Sequence, residues 1–191
     1  MTSLVLHPTE VAQWHALVNE AQTACDQQLD EALESYLVFL LMRFADQPQL
    51  VERIMALDYI EATGGKSSAH CGKLRDMGDQ CLLFSGLFPQ LAERRLVKVS
   101  YYVNLGRSAY DQLAGLVDRK SEQLYASLAR AFVAVMDVLH AIRTLNGNPA
   151  LTVLQASELW ADTGSRVAYA TLRDHYQVEP FLPRSGFKYR D

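Results

Sequence analysis

Only three cysteines occur among the 191 residues, Cys25, Cys71 and Cys81, and no two stand in a C-x-x-C spacing. An odd number without that spacing rules out a full disulfide framework and the common zinc patterns. The thiols read as reduced, mostly buried small hydrophobes. Positive charge is not in excess either. Lys and Arg number 18 against 22 Asp and Glu, a formal net charge of −4. No broad positive field is available to attract nucleic acid or anionic lipid. Long apolar runs are missing: the longest, Tyr36 to Met42, is far short of the roughly 20 residues needed to span a bilayer. The opening MTSLVLHPTE has neither a basic stretch nor a long apolar stretch, so no secretory signal is expected. These absences make a cytoplasmic protein of bacterial type, away from membranes, the simplest expectation.

What is present suits one soluble domain with a sizeable core: 49% of residues are hydrophobic and 21% charged. The apolar periodicity is helical almost throughout. Pro8 and Thr9 open a first helix with Val11, Trp14, Val18, Ala21 and Cys25 along one stripe. A second runs from about Gln28 to Ala45, and its half from Tyr36 to Met42 is apolar all round. Such a segment must be wrapped by other helices or by a second subunit. Asp46-Gln-Pro48 starts a third helix, which Gly64-Gly65 ends. Ser67 or Ser68 caps a fourth that reaches Leu87, where Pro89 forces a break. A short turn follows from Gln90 to Arg95. Leu96 to Val99 is the one plausible strand, without a partner. Helices are then expected from Ser100 to Val117 and from Glu122 to Leu145, the latter capped by Ser121. Asn146-Gly-Asn-Pro149 is a loop, and a last helical region covers Leu151 to His175, broken near Gly164. The expected fold is an all-α, single-domain bundle of about six to eight helices over residues 1–177. Residues 178–191, with two prolines and a glycine, read as an extended or disordered tail.

Motifs that carry chemistry are few. Thr63-Gly-Gly-Lys-Ser-Ser68 resembles the end of a phosphate-binding loop, but Ile60 stands where that loop requires its first glycine, within a helix rather than after a strand. What survives is a weaker candidate: Gly65, Lys66, Ser67 and Ser68 at a helix start, able to hold an anion. Lys66, His70, Lys73 and Arg75 would have to share one exposed face for this region to act as a DNA-binding helix-turn-helix. Asp137-Val-Leu-His140 has the spacing of half a helical di-metal site, yet no Glu-x-x-His occurs anywhere, and Asp137 is assigned to a solvated face near Arg130. No metal site is expected. No Ser, Cys or His stands in a recognisable nucleophile motif, so an enzyme is not the expectation.

Two stretches do stand out. Arg75 precedes Asp79, and Arg107 precedes Asp111, each by four residues. This is the less favourable order for a pair within one helix, which suggests use between helices. An antiparallel hairpin whose partner numbers sum to about 186 would join Arg75 to Asp111 and Asp79 to Arg107. Gly78 and Gly106 would stand where the backbones come close, or where a ligand lies against them. The candidate pocket is therefore Arg75, Gly78, Asp79, Tyr102, Gly106, Arg107, Tyr110 and Asp111. Three functions follow in order: a non-catalytic module that binds a protein partner or itself as a dimer, a small-molecule or cofactor-binding protein with a pocket near Gly78 and Gly106, and a DNA-binding regulator. No particular cofactor is indicated.

Overall fold

The computed structural model describes residues 9–46, 68–94 and 97–176. Among them are eight α-helices and no strand, so the fold is all-α. Helix α1 spans Glu10–Ala24 and α2 spans Glu31–Asp46. Helix α3 is Ser68–Leu87, α4 is Pro89–Arg94 and α5 is Val99–Ala114. The long α6 covers Arg119–Leu145, followed by α7 at Val153–Thr163 and α8 at Arg166–Tyr176. The expected third helix and the C-terminal tail lie outside the described residues.

Local chemistry fixes the helix ends. The Thr9 side chain accepts the Ala12 N–H at the head of α1. Helix α6 begins three residues before Glu122, the expected start, because Asp118, rather than Ser121, is its cap. The Asp118 carboxylate accepts the N–H groups of Lys120 (3.0 Å) and Ser121 (3.2 Å), donors that the helix itself cannot satisfy. The last helical region divides at Gly164, which adopts a left-handed φ of 72° and closes α7. Thr152 and Gln155 form a reciprocal capping box at the other end of α7. Of the expected strand, Leu96 lies outside the described residues, Val97 and Lys98 join no sheet, and Val99 already begins α5. Lys98 is extended, with φ −67° and ψ 146°, but it serves as the residue before α5 rather than as part of a sheet.

One core runs through all the longer helices. Helices α3 and α5 pack most extensively on each other, antiparallel, and α6 lies across both. The register is read from contacts: the Tyr110 ring lies over Gly78, the Phe84 and Tyr102 ring centroids are 4.4 Å apart at a tilt of 47°, and a Cβ at Gly106 would meet Cys81 at 2.8 Å. The hairpin of the two glycine-bearing helices is therefore present. Helix α1 packs on α2 and α6, while α7 and α8 pair with each other. By length and composition α6 could cross a bilayer, but 61% of its most apolar stretch is buried inside the protein. From Val135 to Arg143 every one of its residues is buried, which makes it the axis of the fold.

Candidate functional site

The charged pairs expected across the α3–α5 hairpin are not formed. Asp79 is 2% exposed and is reached from other directions. Its Oδ1 accepts the Tyr36 hydroxyl at 2.5 Å and the Tyr110 hydroxyl at 2.7 Å, and Arg43 donates to Oδ2. Arg107 lies on the exposed side and donates instead to the Ala129 carbonyl on α6, at 3.2 Å. Arg75 stands beside its own neighbour Asp76 at 3.7 Å, and Asp111 is exposed. The reason is helical geometry. Gly106 and Tyr110 are buried in the bundle, and Arg107 and Asp111, each one position further along α5, are turned by about 100° to its outer side.

Burial pushes the Asp79 carboxyl up, while Tyr36, Arg43 and Tyr110 pull it back. All three partners are donors, so the cluster is built around the carboxylate form. The Tyr36 and Tyr110 phenols are held well above their ordinary range by burial and by the Asp79 charge. Tyr36 meets Tyr110 edge-on at 6.3 Å and Tyr125 likewise. The space beside Gly78 is filled by the Tyr110 ring, and that beside Gly106 by Phe132 and Cys81. Tyr102 is buried against Phe84. This constellation ties α2, α3 and α5 together with the Tyr36 and Tyr110 hydroxyls both used, and its chemistry is that of a structural clasp.

The other motifs are only partly within the described residues. Gly65, Lys66 and Ser67 lie outside the described residues, and Ser68 is exposed at the start of α3. Of the basic set considered for DNA, Lys73 and Arg75 are exposed and His70 is half-buried. Asp137 is not on a solvated face: it is fully buried. Its carboxylate accepts the Ser165 hydroxyl (2.5 Å), the Arg166 N–H (2.8 Å) and the Gln27 amide (3.2 Å). It therefore anchors the N-terminus of α8, where a negative charge is favoured. Burial still holds its carboxyl above the ordinary value. The described residues contain no cluster of His, Cys, Asp or Glu able to hold a metal ion.

A different region has the form of a site. A partly open cavity of about 690 Å³ lies between the end of α1, the last turns of α6 and one side of α8. Its volume is that of a pocket for a small organic molecule. His140 and Arg143 line it from α6, one helical turn apart. His140 is 1% exposed and neither ring nitrogen has a hydrogen-bond partner. Burial and the neighbouring Arg143 charge push its pKa down to about 3, so the imidazole is neutral. Arg143 is 5% exposed, its Nη2 has no partner, and burial holds it below its ordinary value. The remaining basic residues on the wall are already engaged. Arg166 donates to the Asp26 carbonyl at 2.6 Å, and Arg173 donates to Asp174 at 3.1 Å. Cys25 is also on the wall, and its thiol is held protonated: burial first, then Asp137, raises its pKa to about 11.

Sequence reasoning missed this cavity. The one signal was the spacing of Asp137, His140 and Arg143, polar groups at three-residue steps in a segment otherwise fit for the core. Comparison with protein-family models, with curated proteins and with solved structures gives no match.

Proposed function

We propose that the protein is a non-catalytic binding protein for a small molecule, held in the cleft between α1, α6 and α8. The observation that carries this reading is the pairing of a ligand-sized cavity with two buried polar side chains on its wall that have no partner. Buried polar groups in native structures are nearly always satisfied, and leaving one bare costs about 1–3 kcal/mol. A bound molecule that supplies the missing partners accounts for both features. On the cleft wall the Cys25 thiol stays protonated, and the two carboxylates, Asp26 and Asp174, lie against Arg166 and Arg173.

Association with a protein partner draws less support. The large exposed apolar side chains among the described residues, Val11, Phe39, Tyr101, Leu145, Leu154 and Tyr176, stand on six different helices, and isolated exposed hydrophobes are ordinary on monomers. Most of the apolar half of α2 is turned inward: Leu37, Val38, Leu40 and Leu41 are buried, and Phe39 alone is well exposed, at 60%.

The test is a thermal-shift screen of small metabolites against the wild type and Ala150→Trp, which puts an indole on the cleft wall at an exposed position. Compounds that raise Tm in the wild type and not in the variant are expected. An empty screen, or shifts that persist in the variant, would overturn the reading.

A further inference from the structure

Arg143 sets the chemistry of what this cleft can take. Around the cavity Arg166 and Arg173 each lie against a carboxylate of their own, Asp26 and Asp174. Arg143 has no acidic partner among the described residues. The nearest buried carboxylate on the same helix, Asp137, is turned to the head of α8. A guanidinium taken out of water without a counter-charge is costly, and an incoming anion removes that cost while making two-pronged hydrogen bonds. The rest of the wall is largely apolar, with Ala24, Ala141, Leu145, Leu151, Val167 and Ala170.

We propose that the ligand is a small organic carboxylate, its carboxylate on the Arg143 guanidinium beside His140 and its apolar body along the alanine and leucine wall. The proposal rests on the cleft being the ligand site. One unpaired positive charge matches one negative charge. A phosphate dianion would bring a second charge that no free cation meets among the described residues. A neutral amide would leave the buried charge uncompensated, and an amine would add a like charge to it. The His140 imidazole, neutral and without a partner, can donate to the carboxylate as well as accept from a ligand hydroxyl.

The experiment is calorimetric titration of the full chain at pH 7 with octanoate, octanamide, octylamine and inorganic phosphate. Octanoate should bind at least tenfold more tightly than octanamide, with octylamine and phosphate weaker still. Arg143→Gln should lower octanoate affinity about ten- to a hundredfold, the value of a charge-assisted hydrogen bond, and leave octanamide nearly unchanged. The comparison of acid with amide on the wild type needs no variant, so it stands even if Arg143→Gln fails to fold. Equal affinity for acid and amide, phosphate binding as tight as octanoate, or octanoate binding unaltered in Arg143→Gln would overturn the proposal. Octanamide binding that Ala150→Trp abolishes, without preference for the acid, would overturn the carboxylate and leave the cleft standing. Silence from all three eight-carbon probes would also overturn the carboxylate, whereas the cleft itself is decided by the metabolite screen with the wild type and Ala150→Trp.

Discussion

At the scale of single residues, Asp79 joins α2, α3 and α5 through one buried carboxylate. Removing its carboxylate leaves two phenols and a guanidinium facing a position with no acceptor. Asp79→Ala should therefore cost about 3–5 kcal/mol, the range for breaking a buried pair from one side. Arg43 is one-third exposed, so water can take over part of its role, and Arg43→Ala should cost clearly less than Asp79→Ala. Double-mutant cycles by urea denaturation separate the partners. Asp79→Ala with Arg43→Ala should be less than additive, because the two changes remove one interaction. Asp79→Ala with Arg107→Ala should be additive, since Arg107 bonds the Ala129 carbonyl instead. Coupling of Asp79 to Arg107 above about 0.5 kcal/mol would contradict the observed register.

At the scale of elements, the close approach of α3 and α5 gives a prediction from glycine. A Cβ at Gly78 would lie 2.6 Å from Tyr110 Cδ1, an atom of a fully buried ring with nowhere to retreat. Gly78→Ala should destabilise by about 1–3 kcal/mol, the usual penalty of overpacking. Gly115, exposed after α5 with right-handed φ −71° and no neighbour nearer than 3.6 Å, is the control. Gly115→Ala should gain about 0.4–1 kcal/mol by narrowing the unfolded ensemble. Thermal melts of the two variants check both signs. The elements themselves were largely legible, because apolar periodicity, capping residues and helix-ending glycines act over a few residues. The α3–α5 hairpin was legible for the same reason: small residues mark where backbones approach. The charges on it were not. Arg107 and Asp111 differ from Gly106 and Tyr110 by one position, which on a helix is the difference between outside and inside. Asp137 was misplaced for a related cause. A wheel drawn for α6 alone shows a polar residue opposite the apolar face, while the fold brings α8 and Gln27 onto that side. The cavity was illegible because α1 and α8, more than a hundred residues apart, meet only in the folded chain.

At the scale of the whole molecule, the imidazole at the end of the axial helix should make stability depend on pH. In the unfolded chain a histidine titrates near 6.5, whereas His140 in the fold does so at about 3. The folded pKa is depressed, so between these values the unfolded state binds a proton that the folded state refuses. Stability conferred by neutral His140 is whole above pH 6.5 and is lost as pH falls toward 3, at about 1.4 kcal/mol per pH unit. The cause is desolvation first and the Arg143 charge second. Two other buried groups oppose this. Asp79 and Asp137 have carboxyls raised above 3.8, so their contribution grows as pH falls through the window just above that value. A bare pH titration of stability would mix the three. The clean observable is the difference between the wild type and His140→Leu, which keeps a side chain of similar bulk and removes the proton site. Urea unfolding of both at pH 7 and pH 4.5 should show the wild type losing about 2–3 kcal/mol more than the variant, the two units of the window below 6.5. Equal losses would mean that His140 is hydrated or paired, and that the cleft wall is wetter than its geometry indicates.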